Sequence, residues 1–118
     1  MGQRDSSFAA PPVAGELTVQ RRVALQLVEM AFRNALGRVE VFDKLAPVPP
    51  NGWAAVRYGL GNSLLLLGML TNCTDHLEQA LGCYTAAKDG FAQAGLESLR
   101  EITQQRMMLV ANALRGSM

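Results

Sequence analysis

Three side chains in this 118-residue sequence have the chemistry to hold a metal or attack a substrate: Cys73, His76 and Cys83. Structural zinc draws on four ligands in paired spacings. Cys73-x2-His76 supplies two, and a helix through this stretch points Cys83 away from both. Nucleophilic catalysis by either thiol needs a nearby base and a third group that orients it, and His76 is the single histidine. No catalytic, metal-binding or cofactor-binding residue is therefore assigned, and no cofactor is expected. Along one helix the two cysteines lie about 15 Å apart by helical rise. A disulfide needs Cα atoms within roughly 7 Å, so both thiols are expected free.

Other chemical signals are equally thin. Asn72-Cys73-Thr74 has the form of a glycosylation acceptor, but Arg4, Asp5, Ser6 and Ser7 interrupt any secretory apolar core at the N-terminus. Gly59, Gly61 and Gly68 form no phosphate loop, because no strand precedes them and no Lys-Ser/Thr follows. They read as places where helices approach closely. Trp53 and Tyr84 could line a pocket for a small molecule, the alternative functional reading, although aromatics at helical spacing usually belong to a core.

The elements that must position these residues are helical. Nearly half of the residues are hydrophobic and few are aromatic, with Leu and Ala dominant and no strictly alternating runs. The formal net charge of +1 gives no field suited to nucleic acid or an anionic membrane surface. The apolar run from Leu64 to Leu70 is far shorter than the roughly 20 residues that span a bilayer. A cytoplasmic location is expected by default.

Residues 53–91 organise the chain. Trp53, Val56, Leu60, Leu64, Leu65, Leu67 and Leu70 leave no broad polar face, as in a helix buried on several sides. Leu77, Ala80, Leu81, Tyr84, Ala87 and Phe91 follow the spacing of a one-sided amphipathic helix. A short polar connector, with Asp75 and Glu78 in a capping arrangement, joins the two as an antiparallel hairpin.

On either side of it the pattern continues. Residues 1–15, with Ser6, Ser7, Pro11, Pro12 and Gly15, read as a flexible lead, and residues 16–115 as a single domain. A long helix is expected from Glu16 to Ala46 with a bend marked by Gly37. Its apolar stripe includes Val28, Phe32 and Ala35, and Arg21, Arg22, Arg33 and Arg38 read as a solvated face. Pro47, Pro49 and Pro50 end it, and Asn51 is expected to cap the next helix. Gly95 is expected to close the third helix near Gln93 in a left-handed conformation. A fourth helix is expected from Leu96 to Leu114.

The residues Leu60-Gly61, Leu64 and Gly68, followed by Ala80, Tyr84 and Ala87, resemble a tetratricopeptide repeat. In that family a small residue admits close helix approach and an Ala-x3-aromatic-x2-Ala row fills the groove. The resemblance covers one full repeat, about residues 53–91. Its connector is longer than the standard one, Arg57 stands where the short repeat has a large apolar residue, and Gly95 replaces the closing proline. Val28, Phe32 and Ala35 repeat the spacing of the second-helix row, and Val110 to Leu114 echoes Leu60 to Leu64. Half-repeats therefore flank the full one.

The resemblance implies an all-α fold of about four antiparallel helices stacked as hairpins. It also implies a non-enzymatic scaffold that binds a protein or peptide. Repeat stacks need about three units and polar caps, so self-association is expected to supply a missing neighbour. Met107, Met108, Leu109 and Val110 run round the whole circumference of the last helix. An interaction surface is expected there, centred on Met107, Leu109, Val110 and Leu114. Arg100, Glu101 and Arg115 would form its charged rim. The expected partner is a protein or peptide, first of all a second copy, with no nucleic acid and no membrane.

Overall fold

A computed structural model describes residues 14–45 and 50–116. The expected flexible lead lies, up to residue 13, outside the described residues. The chain forms α1 (Ala14–Lys44), α2 (Pro50–Thr71), α3 (Thr74–Gln93) and α4 (Glu97–Gly116), with no strand among the described residues. No helix among them is long and apolar enough to cross a membrane. The fold is all-α.

Each helix packs against the next one in the chain, and α2 also touches α4. The pairs are antiparallel. Phe42 near the end of α1 meets Gly52 at the start of α2, while Arg21 near the start of α1 reaches the carbonyl of Leu70 at the end of α2. Ala35, Val39, Leu60, Leu64, Leu65, Leu77, Ala80, Tyr84 and Val110 make one continuous core drawn from all four helices. Ala54, Ala87 and Phe91 make a smaller cluster that Trp53, Tyr58 and Leu96 flank.

The two tight connections are built alike. After α2, Asn72 has φ 57°, and the Cys73 amide donates to the Gly68 carbonyl at 3.0 Å. After α3, Gly95 has φ 74°, and the Leu96 amide donates to Phe91 at 2.9 Å while the Gly95 amide donates to Ala92 at 3.1 Å. A left-handed residue with the bond reaching back to the final turn satisfies carbonyls that the helix leaves open. Leu96 then packs beside Phe91, the apolar contact that accompanies this motif. The expected left-handed Gly95 is thus found. Asn72 does the same work with one of the few non-glycine types suited to it.

Three local expectations are corrected. Helix α2 begins at Pro50, so Asn51 lies in its first turn and is not its cap. Proline suits that position because a first-turn N–H has no intrahelical partner to lose. Helix α3 is preceded by Cys73 as its capping residue, with no side-chain capping bond, and Asp75 sits inside the first turn. The left-handed turn at Asn72 delivers the chain directly into the helix. Helix α1 stops at Lys44, short of the expected Ala46.

Candidate interaction surfaces

The residues that carry the repeat resemblance meet where α2 crosses α3. A Cβ built on Gly61 would lie 2.8 and 2.9 Å from two ring carbons of Tyr84, and one on Gly68 would lie 2.8 Å from Leu77 Cδ2. Only glycine permits these helices to lie so close. Leu60, Leu64, Ala80, Tyr84 and Ala87 are all buried, and Tyr84 is 0% exposed. Its hydroxyl donates to Asn62 Oδ1, which satisfies the one polar atom the ring carries inward. Tyr58 stacks obliquely between Tyr84 and Phe91, with centroids 5.7 and 6.3 Å away. Burial pushes the Tyr84 phenol up from its ordinary range. It is a core side chain.

Arg57, the departure from the repeat pattern, joins α2 to α1. Its Nη2 donates to both carboxylate oxygens of Asp43 at 2.9 Å, and its guanidinium lies 3.9 Å from the centre of the Trp53 ring. A planar cation can stack on an aromatic face and bind a carboxylate at its edge, which a large apolar residue could not do. Asp43 carries no sequence signal for this role, because the pair is fixed only by the antiparallel register. Arg21 is likewise more than a solvated charge. It donates to the Leu70 carbonyl at 2.7 Å, one of the acceptors that the end of α2 leaves open.

Cys73 and Cys83 are free thiols. Burial raises the Cys83 thiol above its ordinary pKa, and the Arg57 charge offsets part of that rise. His76 lies against Phe32 of α1, with ring centroids 6.4 Å apart. No group of three or more potential metal ligands occurs among the described residues.

The expected surface on α4 divides into two sides. Val110 is 0% exposed and belongs to the core, so its assignment to an interaction surface is corrected. Met107 and Leu114 are half-buried against the same core. Leu109 is 53% exposed, and Met108, Leu99 and Ile102 also face outward. A helix turns 100° per residue, so four consecutive apolar residues cannot share one face. Thr103 and Val110, seven apart, mark the inward side. Arg100 donates to Glu97 on the same helix, and that bond holds the Glu97 carboxyl below its usual range. Arg115 donates to Asn112.

Sequence reasoning missed a larger apolar surface on α1. Val19, Val23, Leu27, Met30 and Val41 are each about half exposed or more, and Leu27 reaches 61%. Residues Phe32, Ala35 and Val39 of the same helix face the core. Helix α1 is thus apolar on two opposite sides. The signal was present as Val23, Leu27, Met30 and Val41, at intervals of four, three and eleven residues that return to one side of a helix. It was hidden because both stripes merge into one broad apolar pattern until a neighbour selects one. Comparison of the chain with protein-family models, with curated proteins and with solved structures gives no match.

Proposed function

We propose that this chain is a non-enzymatic protein–protein interaction module of tetratricopeptide-like type, which binds protein partners through the outer faces of its first and last helices. The observation that carries this reading is the pair of exposed apolar stripes at the two ends of the helical succession. One lies on α1, around Leu27 and Met30, and the other on α4, around Leu99, Ile102 and Leu109. End helices of self-sufficient repeat arrays turn a polar face outward. Contiguous exposed apolar surface marks a place of association.

The close Gly61–Tyr84 and Gly68–Leu77 contacts support the repeat-like character of the central hairpin. They also weigh against a small-molecule pocket at Tyr84, since the ring fills the space beside Gly61. The test places a photoreactive residue at position 27 or 109, and at exposed Glu78 as control, in the cells that make the protein. Discrete protein adducts from position 27 or 109 are expected. Adducts no more frequent than those from position 78 would reject the reading.

A further inference from the structure

The outer stripe of α1 is bordered by positive charge. Arg22 stands three residues after Val19, Arg33 three after Met30, Arg38 three before Val41 and Lys44 three after it. Residues at that spacing are neighbours on a helix surface. All four cations are exposed, and Glu40 is exposed beside them. The other carboxylates between residues 18 and 44 lie toward α2 and the core. Asp43 is bound by Arg57, and Glu29 is half-buried three residues before Phe32. From Val19 to Val41 the stripe extends about 33 Å by helical rise. Midway, Asn34 and Gly37 interrupt it. Nothing lies within 4 Å of a Cβ built on Gly37, and Arg33, Asn34, Gly37, Arg38, Val41 and Phe42 line a depression of about 410 Å³ there. Arg33 and Arg38, about 140° apart by helical turn, border it on opposite sides.

We propose that the partner of this face is an acidic amphipathic helix of another protein, about six turns long, which lies along α1 with one large apolar side chain in the depression at Gly37 and carboxylates beside Arg33 and Arg38. This rests on the interaction-module reading above and names its partner class. Helices dock on such surfaces through apolar anchors at i, i+3, i+4 and i+7, and the charges around the anchors choose the partner. The charge argues against a second copy. Another α1 brings the same four cations, so two stripes laid face to face concentrate like charge. On α4 the charge nearest the exposed stripe is Arg106, four residues after Ile102 and three before Leu109, so α4 of another copy also meets α1 with a cation. Shape argues against an anionic bilayer. Interfacial helices present an unbroken face rich in Trp, Phe or Leu. Here Asn34 and Gly37 break the face, a flat surface leaves the depression unfilled, and Phe32 and Phe42 turn toward the core and α2.

The probe is a fluorescein-labelled synthetic helix of three heptads, about 21 residues, with Leu at the two anchor positions of each heptad and Glu and Ala elsewhere. A twin carries Lys in place of Glu. By fluorescence anisotropy the whole chain is expected to bind the acidic helix at least about tenfold more tightly than the twin, and less tightly as salt rises. Arg33→Glu and Arg38→Glu are each expected to weaken binding about three- to tenfold, as rim charges do. The double variant Leu27→Glu, Met30→Glu is expected to abolish it. Circular dichroism should find the helicity of all these variants unchanged, since the four side chains are exposed. Arg115→Glu on α4 makes the same change of charge away from the stripe and is expected to leave affinity within about twofold. No binding of the acidic helix, equal binding of the twin, or equal losses in Arg33→Glu and Arg115→Glu would overturn the proposal. If the acidic helix fails, sedimentation with phosphatidylserine–phosphatidylcholine vesicles that Arg33→Glu abolishes would put an anionic membrane in its place. Light scattering at twice the 12.7 kDa chain mass, lost in Leu27→Glu, Met30→Glu, would instead put a second copy there. Protein crosslinks from position 27 or 109 that persist when the acidic helix fails uphold the interaction module and remove only this partner class.

Discussion

Replacing Gly61 by alanine isolates the contact between α2 and α3. The new methyl group would sit 2.8 and 2.9 Å from two carbons of the Tyr84 ring and 3.2 Å from a third. Ordinary carbon contacts fall near 3.5–4.0 Å, so the ring or the helix must move by more than half an ångström. The ring has little freedom to yield, being fully buried, bonded through its hydroxyl to Asn62 and set against Tyr58. Overpacking of a filled core costs about 1–3 kcal/mol. Alanine returns up to about 1 kcal/mol of helix propensity relative to glycine. The net expectation is a loss of about 0–2 kcal/mol.

Gly82 provides the internal reference, because it is exposed in the middle of α3 and a Cβ there meets nothing within 4 Å. Gly82→Ala is expected to gain the propensity term alone. The difference between the two alanine variants is then the packing term, about 1–3 kcal/mol. In a domain of this size that difference separates the melting temperatures by at least about 4 °C. Urea unfolding followed by circular dichroism measures it directly. Gly61→Leu carries more atoms into the same space and is expected to be worse than Gly61→Ala. If Gly61→Ala stabilises as much as Gly82→Ala, the close approach of α2 to α3 is not what glycine provides there, and the reasoning fails.

Other expectations follow from burial and ionisation. Val110→Glu places a charge in the core and is expected to destabilise by several kcal/mol, whereas Leu109→Glu next to it is expected to melt within about 0.5 kcal/mol of wild type; equal effects would contradict the sidedness of α4. Cys83, its thiol raised by burial, is expected to alkylate slowly at neutral pH in the folded protein and normally in urea. Mass spectrometry without reductant should find both thiols modified once the chain is unfolded, and a retained disulfide would contradict the helix geometry. Tyr84 is held neutral by burial, so its folded pKa lies above the ordinary 10.0. The unfolded chain releases that proton first, so stability is full below pH 10 and falls as pH rises beyond it. Tyr84→Phe is expected to flatten this alkaline decline, and an unchanged decline would place its cause elsewhere.

Helices, their order and their glycine turn were legible in the sequence because they depend on neighbours along the chain. The apolar spacing of residues 53–91 specified two helices, and Gly95 announced a left-handed stop. Gly61 with Tyr84, and Ala80 with Ala87, gave the faces that meet. The helices and the stop follow from one residue's backbone preference or one helix's periodicity, and the meeting faces from the repeat resemblance. The tertiary structure decided what periodicity leaves open. Val110 turned out to be core and Leu109 surface because the position of α3 fixes which side of α4 is covered. Asp43 became the partner of Arg57 only through the antiparallel register of α1 on α2. The second stripe on α1 emerged for the same reason: a helix apolar on two sides declares its buried face only when a neighbour occupies it.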